Sequence, residues 1–96
     1  RDDADALDEI AQSEISASDL ANLDCEHLAT LARAIRSRVL RAALYAAGAP
    51  SGSITADHLA AVEALVTSWH GQGQVSLPGG VKVERISGRL SLLAQP

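Results

Sequence analysis

The apolar residues of this chain repeat with a helical period as far as Trp69 and with a strand period from Val75 onward. That single change of period constrains the fold more than any other feature, because a helix must bury a stripe and a strand must bury alternate residues. Gly71 and Gly73 stand at the change. The expectation is a mainly α chain: a three-helix bundle followed by a small antiparallel β-hairpin or three-stranded sheet packed against it.

Leu7, Ile10, Ala11 and Ile15 predict a first helix over Asp3 to Ile15, with acids in its first turn, where the helix dipole favours them. Ser16-Ala17-Ser18-Asp19 ends it. Its start carries no cap, so residues 1–15 are expected to be the end of an interdomain helix that continues upstream. The opening on Arg1 and the lack of any Met make a piece of a longer chain the expectation.

A second helix is predicted from Cys25 to Ala47. Asp24 is its N-cap, Leu23 and Leu28 form a hydrophobic staple, and Gly48 with Pro50 stops it. Leu28, Leu31, Ala32, Ile35, Val39, Ala42, Ala43 and Ala46 share one stripe, while Leu40 and Leu44 fall among arginines on the other side. A helix apolar on both sides is sandwiched between neighbours. Thr55 caps a third helix whose buried face reads Leu59, Val62, Leu65, Val66 and Trp69.

Beyond it Val75 and Leu77, a Pro78-Gly79-Gly80 turn, Val81 and Val83, a Ser87-Gly88 turn, and Leu90 and Leu92 read as strands. A two-residue turn at Ser87-Gly88 sets Val83 opposite Leu92 and Arg85 opposite Leu90, with Val81, Val83, Leu90 and Leu92 on one face. The expected division is a helical domain over 1–70 and a β-hairpin tail over 71–96 packed on the helices.

With no Phe, no Met, one Trp and one Tyr, the core falls to Leu, Ile, Val and Ala, a filling suited to close-packed helices. Cys25 is the sole cysteine, which excludes an internal disulfide and multi-cysteine zinc patterns and fits a reducing compartment. No apolar run is long enough to span a bilayer, so cytoplasm is the expected location and no membrane contact is expected.

The net charge of −4 is unevenly spread. Residues 1–27 hold Arg1 against nine acids, whereas residues 28–49 hold Arg33, Arg36, Arg38 and Arg41 and no acid; Lys82, Arg85 and Arg89 form a second basic island. Charge placed in this way admits a nucleic acid despite the acidic total.

Leu31-Ala-Arg-Ala-Ile-Arg36-Ser-Arg38-Val-Leu40-Arg41-Ala-Ala-Leu44, then Gly48-Ala-Pro50, then Leu77-Pro-Gly-Gly80-Val-Lys-Val-Glu-Arg85 and Gly88-Arg-Leu-Ser-Leu92, follow one another in this order. The order resembles the region after the catalytic domain in tRNA(Ile)-lysidine synthetases, particularly their shorter actinobacterial-type form, and covers about Ala4 to Leu92. The family often has Pro where this chain has Ala32 or Arg33, a departure that counts against a role for Arg33.

The resemblance implies a ligase that uses ATP, with Mg, to adenylate the wobble cytidine of an isoleucine tRNA with a CAU anticodon. Lysine then displaces AMP. It implies that this chain is the C-terminal tRNA-positioning and scaffold domain, with tRNA and the enzyme's own N-terminal catalytic domain as partners. The Ser-Gly-Gly-x-Asp-Ser loop that cradles ATP is absent, and Gly71-Gln-Gly73 does not replace it, so no catalytic residue, cofactor or metal site is assigned here. The chain alone is expected to be inactive.

The candidate RNA-binding residues are Arg36, Arg38, Arg41, Lys82, Arg85 and Arg89. Two uses stay open for the arginines of the second helix: tRNA phosphates, or the acids of the first 27 residues. The hairpin cations either extend the same basic track or serve as solvated edge charges.

Trp69, on the apolar stripe, is assigned to the core. His27, His58 and His70 are too scattered for a metal, and His70 is expected to cap helix carbonyls or pack on Trp69. Cys25 is expected to be inert. A second reading is a helical protein-protein interaction module with an acidic docking helix; a stand-alone hydrolase finds no nucleophile and base to support it. The Leu40/Leu44 patch and the alanine content make self-association of the isolated chain an expectation.

Overall fold

The computed structural model describes residues 3–94. Four helices, α1 (Asp3–Ala17), α2 (Cys25–Thr30), α3 (Arg33–Ala47) and α4 (Ala56–Thr67), precede three strands, β2 (Val75–Leu77), β3 (Val81–Ile86) and β4 (Arg89–Ala94). A short first strand, β1 (Asn22–Asp24), lies between α1 and α2. The sheet is antiparallel in the order β1-β4-β3-β2, with a 3₁₀ turn over Pro78–Gly80 joining β2 to β3.

The expected mainly α chain with a trailing antiparallel sheet is present, with two additions. The second helix expected over Cys25 to Ala47 is broken at Leu31 and Ala32, both of which adopt extended backbone angles. Leu31 N–H closes the short helix onto the Leu28 carbonyl, and Ile35 and Arg36 N–H both start the next helix on the Ala32 carbonyl. The carbonyl of Leu31, freed by the break, accepts from Arg36 Nη1 at 2.9 Å. Arg33 is the first residue of the restarted helix, a position whose N–H has no intrahelical acceptor and which therefore tolerates proline.

The other addition is β1, which makes the sheet four-stranded by pairing Leu23 with Leu90. Its last residue, Asp24, is also the N-cap of α2, its carboxylate accepting from Glu26 and His27 N–H. β1 draws the helical half of the chain into the sheet, and one core spans both halves.

The β3–β4 hairpin has the expected register, with Val83 opposite Leu92 and Arg85 opposite Leu90. Ser87 and Gly88 both have positive φ, 51° and 78°, the two-residue turn whose twist matches that of the strands. Val81, Val83, Leu90 and Leu92 are buried on one face and meet Leu40, Leu44, Val62 and Leu65 in the core. α3 is sandwiched, with α1 on one side and α4 and β4 on the others. Leu40 and Leu44 are thus covered by the chain itself, and the apolar patch invoked for self-association does not exist. Ile10, one of the apolar residues whose spacing predicts α1, is exposed.

The Leu77-Pro-Gly-Gly80 turn has a packing reason. Gly79 has φ +81°, and a Cβ there would lie 2.7 Å from the Gly48 carbonyl and 2.8 Å from Pro50 Cδ. The turn is pressed onto the loop that ends α3, which ties the two parts of the sequence pattern together.

Candidate nucleic-acid interface

The six cations proposed from sequence do not form one track. Arg36 is only 8% exposed; its Nε donates to Glu63 Oε1 of α4 at 2.8 Å and its Nη1 to Leu31 O. Arg38 turns the other way, to Asp8 of α1 (Nε to Oδ1, 2.9 Å) and to the Ala34 carbonyl. Arg41 donates to the Ile54 carbonyl, at 2.8 Å, in the loop before α4. Three side chains spaced by two and then three residues on a helix lie about 200° and 140° around it from the first. Here those directions lead to three different neighbours.

The sheet divides the second island by parity. Lys82 and Arg89 lie on its outer face, Lys82 donating to Ser76 Oγ at 2.8 Å and Arg89 to the side chain and carbonyl of Asn22. Glu84 and Asp24 share that face, so it is electrically balanced. Arg85 points inward, where Nη1 donates to the Leu65 carbonyl at 2.8 Å and to that of Val66 at 3.4 Å. Lys82, Arg85 and Arg89 are therefore divided between the two faces of the sheet.

The cation set aside at the sequence level is the exception. Arg33 is exposed at the start of α3, and among the described residues it alone of the Lys and Arg side chains has no hydrogen bond or ion pair within the chain. It lines a polar groove of about 350 Å³ between α3 and α4, with Arg36, Glu63, Thr67 and Ser68. Glu63 cancels Arg36, and Arg33 leaves the groove net positive.

Trp69, the residue after Ser68, is 41% exposed and not in the core assigned to it. α4 stops at Thr67 and Ser68 leaves helical angles (φ −136°, ψ 42°), so Trp69 falls out of phase with the stripe that continues from Leu59 to Val66. The Arg85 guanidinium lies 5.3 Å from the ring centroid, a cation–π contact. The carbonyls expected to be capped by His70 are taken by Arg85 and by Gln72, whose Nε2 reaches Ala64 O and Ser68 O. His58 completes the N-cap of α4, its Nδ1 accepting from Thr55 N–H at 3.0 Å.

On the opposite side His27 Nε2 meets Glu14 Oε2 at 2.9 Å, fastening α1 to α2. The hydrogen bond to Glu14, together with its charge, holds the His27 pKa above its ordinary value. Burial pushes the Cys25 thiol up, so it stays protonated and poorly nucleophilic. Among the described residues no three of His, Cys, Asp and Glu gather as metal ligands would. Gly71 and Gly73 follow the end of α4 and lead into β2, so they do not stand at a helix N-terminus.

Fold and groove together define a small helix-and-sheet binding domain. The chain belongs to the TilS substrate binding domain family, whose model matches residues 23–91. It is 48% identical to a tRNA(Ile)-lysidine synthase of Streptomyces coelicolor over 92 residues, 94% of this chain and 26% of that protein. It is 46% identical to the synthase of the same name from Thermobifida fusca over 97 residues, 98% of this chain and 30% of that protein. A third relative of that name, from Nocardia farcinica, is 41% identical over 101 residues, 99% of this chain and 31% of the relative. The chain thus spans about a quarter to a third of these relatives. No solved structure matches it.

Proposed function

We propose that this domain holds the tRNA substrate of a tRNA(Ile)-lysidine synthase while a catalytic domain elsewhere in the enzyme joins lysine to the wobble cytidine. The observation that carries the reading is Arg33: within a family named for substrate binding, it is, among the described residues, the cation left free for a phosphate, and it lines a polar groove. Arg36, Arg38, Arg41 and Arg85 support it indirectly, by fixing α1, α3 and α4 around that groove. ATP and Mg belong to the catalytic domain, and the chain by itself turns over neither ATP nor tRNA. The enzyme works in the cytoplasm on the isoleucine tRNA with a CAU anticodon; no helix among the described residues is long and apolar enough to cross a membrane.

The rival reading, an acidic helix that docks a protein, has less to support it, since Asp8 and Glu14 of α1 are engaged by Arg38 and His27. The test is the affinity of the chain for the CAU-anticodon tRNA(Ile) transcript as a function of salt. Binding should weaken steeply as salt rises, and Arg33→Ala should reduce the slope of log K against log salt by about one. The melting temperature should barely change, because the Arg33 side chain makes no hydrogen bond or ion pair among the described residues. Binding that is absent, or indifferent to salt, would sink the proposal.

A further inference from the structure

We infer that Trp69 is a stacking platform for an unpaired base of the bound RNA, an assignment that rests on the RNA-holding function proposed above. The ring is fixed from beneath. Arg85 is tethered to the Leu65 and Val66 carbonyls at the end of α4, and its guanidinium lies 5.3 Å from the ring centroid, so the ring has a rigid support and an open side. A planar ring held in this way offers a base a contact without first having to be ordered, which is the condition under which stacking adds most to affinity.

The surroundings select a base over an apolar protein surface. From Thr67 to Gln74 the sequence is Thr-Ser-Trp-His-Gly-Gln-Gly-Gln, in which Trp69 is the single apolar side chain. A protein docking patch is built from several adjoining apolar residues, whereas a lone aromatic in a polar loop suits a flat partner with a polar rim. Space is present too: a Cβ at Gly71 or Gly73 would meet nothing within 4 Å. Ser68, the residue before Trp69, lines the groove that carries Arg33, so groove and ring are neighbours along the chain.

Trp69 is the only tryptophan in the sequence, so tryptophan emission, excited beyond the absorption of Tyr45, reports on this ring alone. The experiment titrates the 96-residue chain with an RNA stem-loop and with a blunt duplex of the same stem, following binding by anisotropy of labelled RNA and stacking by tryptophan quenching. The stem-loop should quench the emission in step with binding, and the duplex should bind without quenching. Trp69→Leu should weaken the stem-loop by about tenfold and leave the duplex unchanged, while Trp69→Phe should keep most of the affinity. Melting curves of both variants should match that of the wild type, since the ring lies outside the core. If both RNAs bind and neither quenches, stacking is overturned while RNA holding stands, and the ring is left for a protein partner. If no RNA binds, the proposed function fails and takes this inference with it.

Discussion

Arg36→Ala separates a structural arginine from an RNA-binding one. In the folded chain the guanidinium makes hydrogen bonds from Nε and Nη2 to Glu63 Oε1 and from Nη1 to the Leu31 carbonyl. Its side chain and that of Glu63 are 10% and 14% exposed, so the pair is close to fully desolvated. Removing one member of such a pair leaves the other charge buried without a partner, at a cost of roughly 3 kcal/mol. For a domain of this size that lowers the melting temperature by about 12–24 °C, while typical domain stabilities of about 5–15 kcal/mol keep the variant folded at room temperature.

Glu63→Gln keeps an acceptor for Arg36 and should cost about 1–2 kcal/mol. The double variant Arg36→Met with Glu63→Leu, which removes both charges and refills the space, should recover most of the loss, giving a coupling of about 2 kcal/mol. Urea unfolding followed by far-ultraviolet circular dichroism measures each value, with salt-dependent tRNA affinity measured in parallel on the folded variants. The refuting result is an unfolding midpoint that barely moves for Arg36→Ala together with a salt slope smaller by about one. The guanidinium would then face phosphate and not Glu63.

Gly79→Ala combines a positive φ with a 2.7 Å approach to the Gly48 carbonyl and should destabilise the chain by at least about 2 kcal/mol. Gly88→Ala, whose Cβ meets open space at a similar φ, should cost only about 1 kcal/mol; equal midpoints in urea for the two variants would contradict the packing argument. Because His27 is held protonated by Glu14 above its ordinary pKa of 6.5, the ion pair stabilises the fold fully below that pH and fades as pH rises through the higher folded-state value. The gap in urea midpoint between wild type and Glu14→Gln should therefore shrink as pH rises above 6.5 and through the raised folded-state pKa, and a gap that stays constant would remove His27 from the account.

The sequence by itself determined the elements whose signals are local. Thr55 as a cap, Gly48 as a stop and Ser87-Gly88 as a two-residue turn act through neighbouring backbone groups, and the alternation after Val75 determined the register of β3 and β4. Only the tertiary structure decided the rest. The break at Leu31 and Ala32 carries no proline or glycine; what stabilises it is a carbonyl satisfied by Arg36 from five residues on, which in turn is held by Glu63. β1 is three residues long, too short for a period, and exists because β4 offers it an edge. Trp69 belongs to the core only if the helical period is extended two residues past the true end of α4 at Thr67.

The charges illustrate the same limit. Sequence places arginines on a helix but not which carbonyl or carboxylate each will meet, since those partners lie 13 to 30 residues away for Arg41, Arg36 and Arg38. Among the described cations, folding paired those that sequence had singled out for RNA and left Arg33 free. A guanidinium is available to a phosphate only if the folded chain has not already supplied an acceptor, and that supply is a property of the tertiary arrangement.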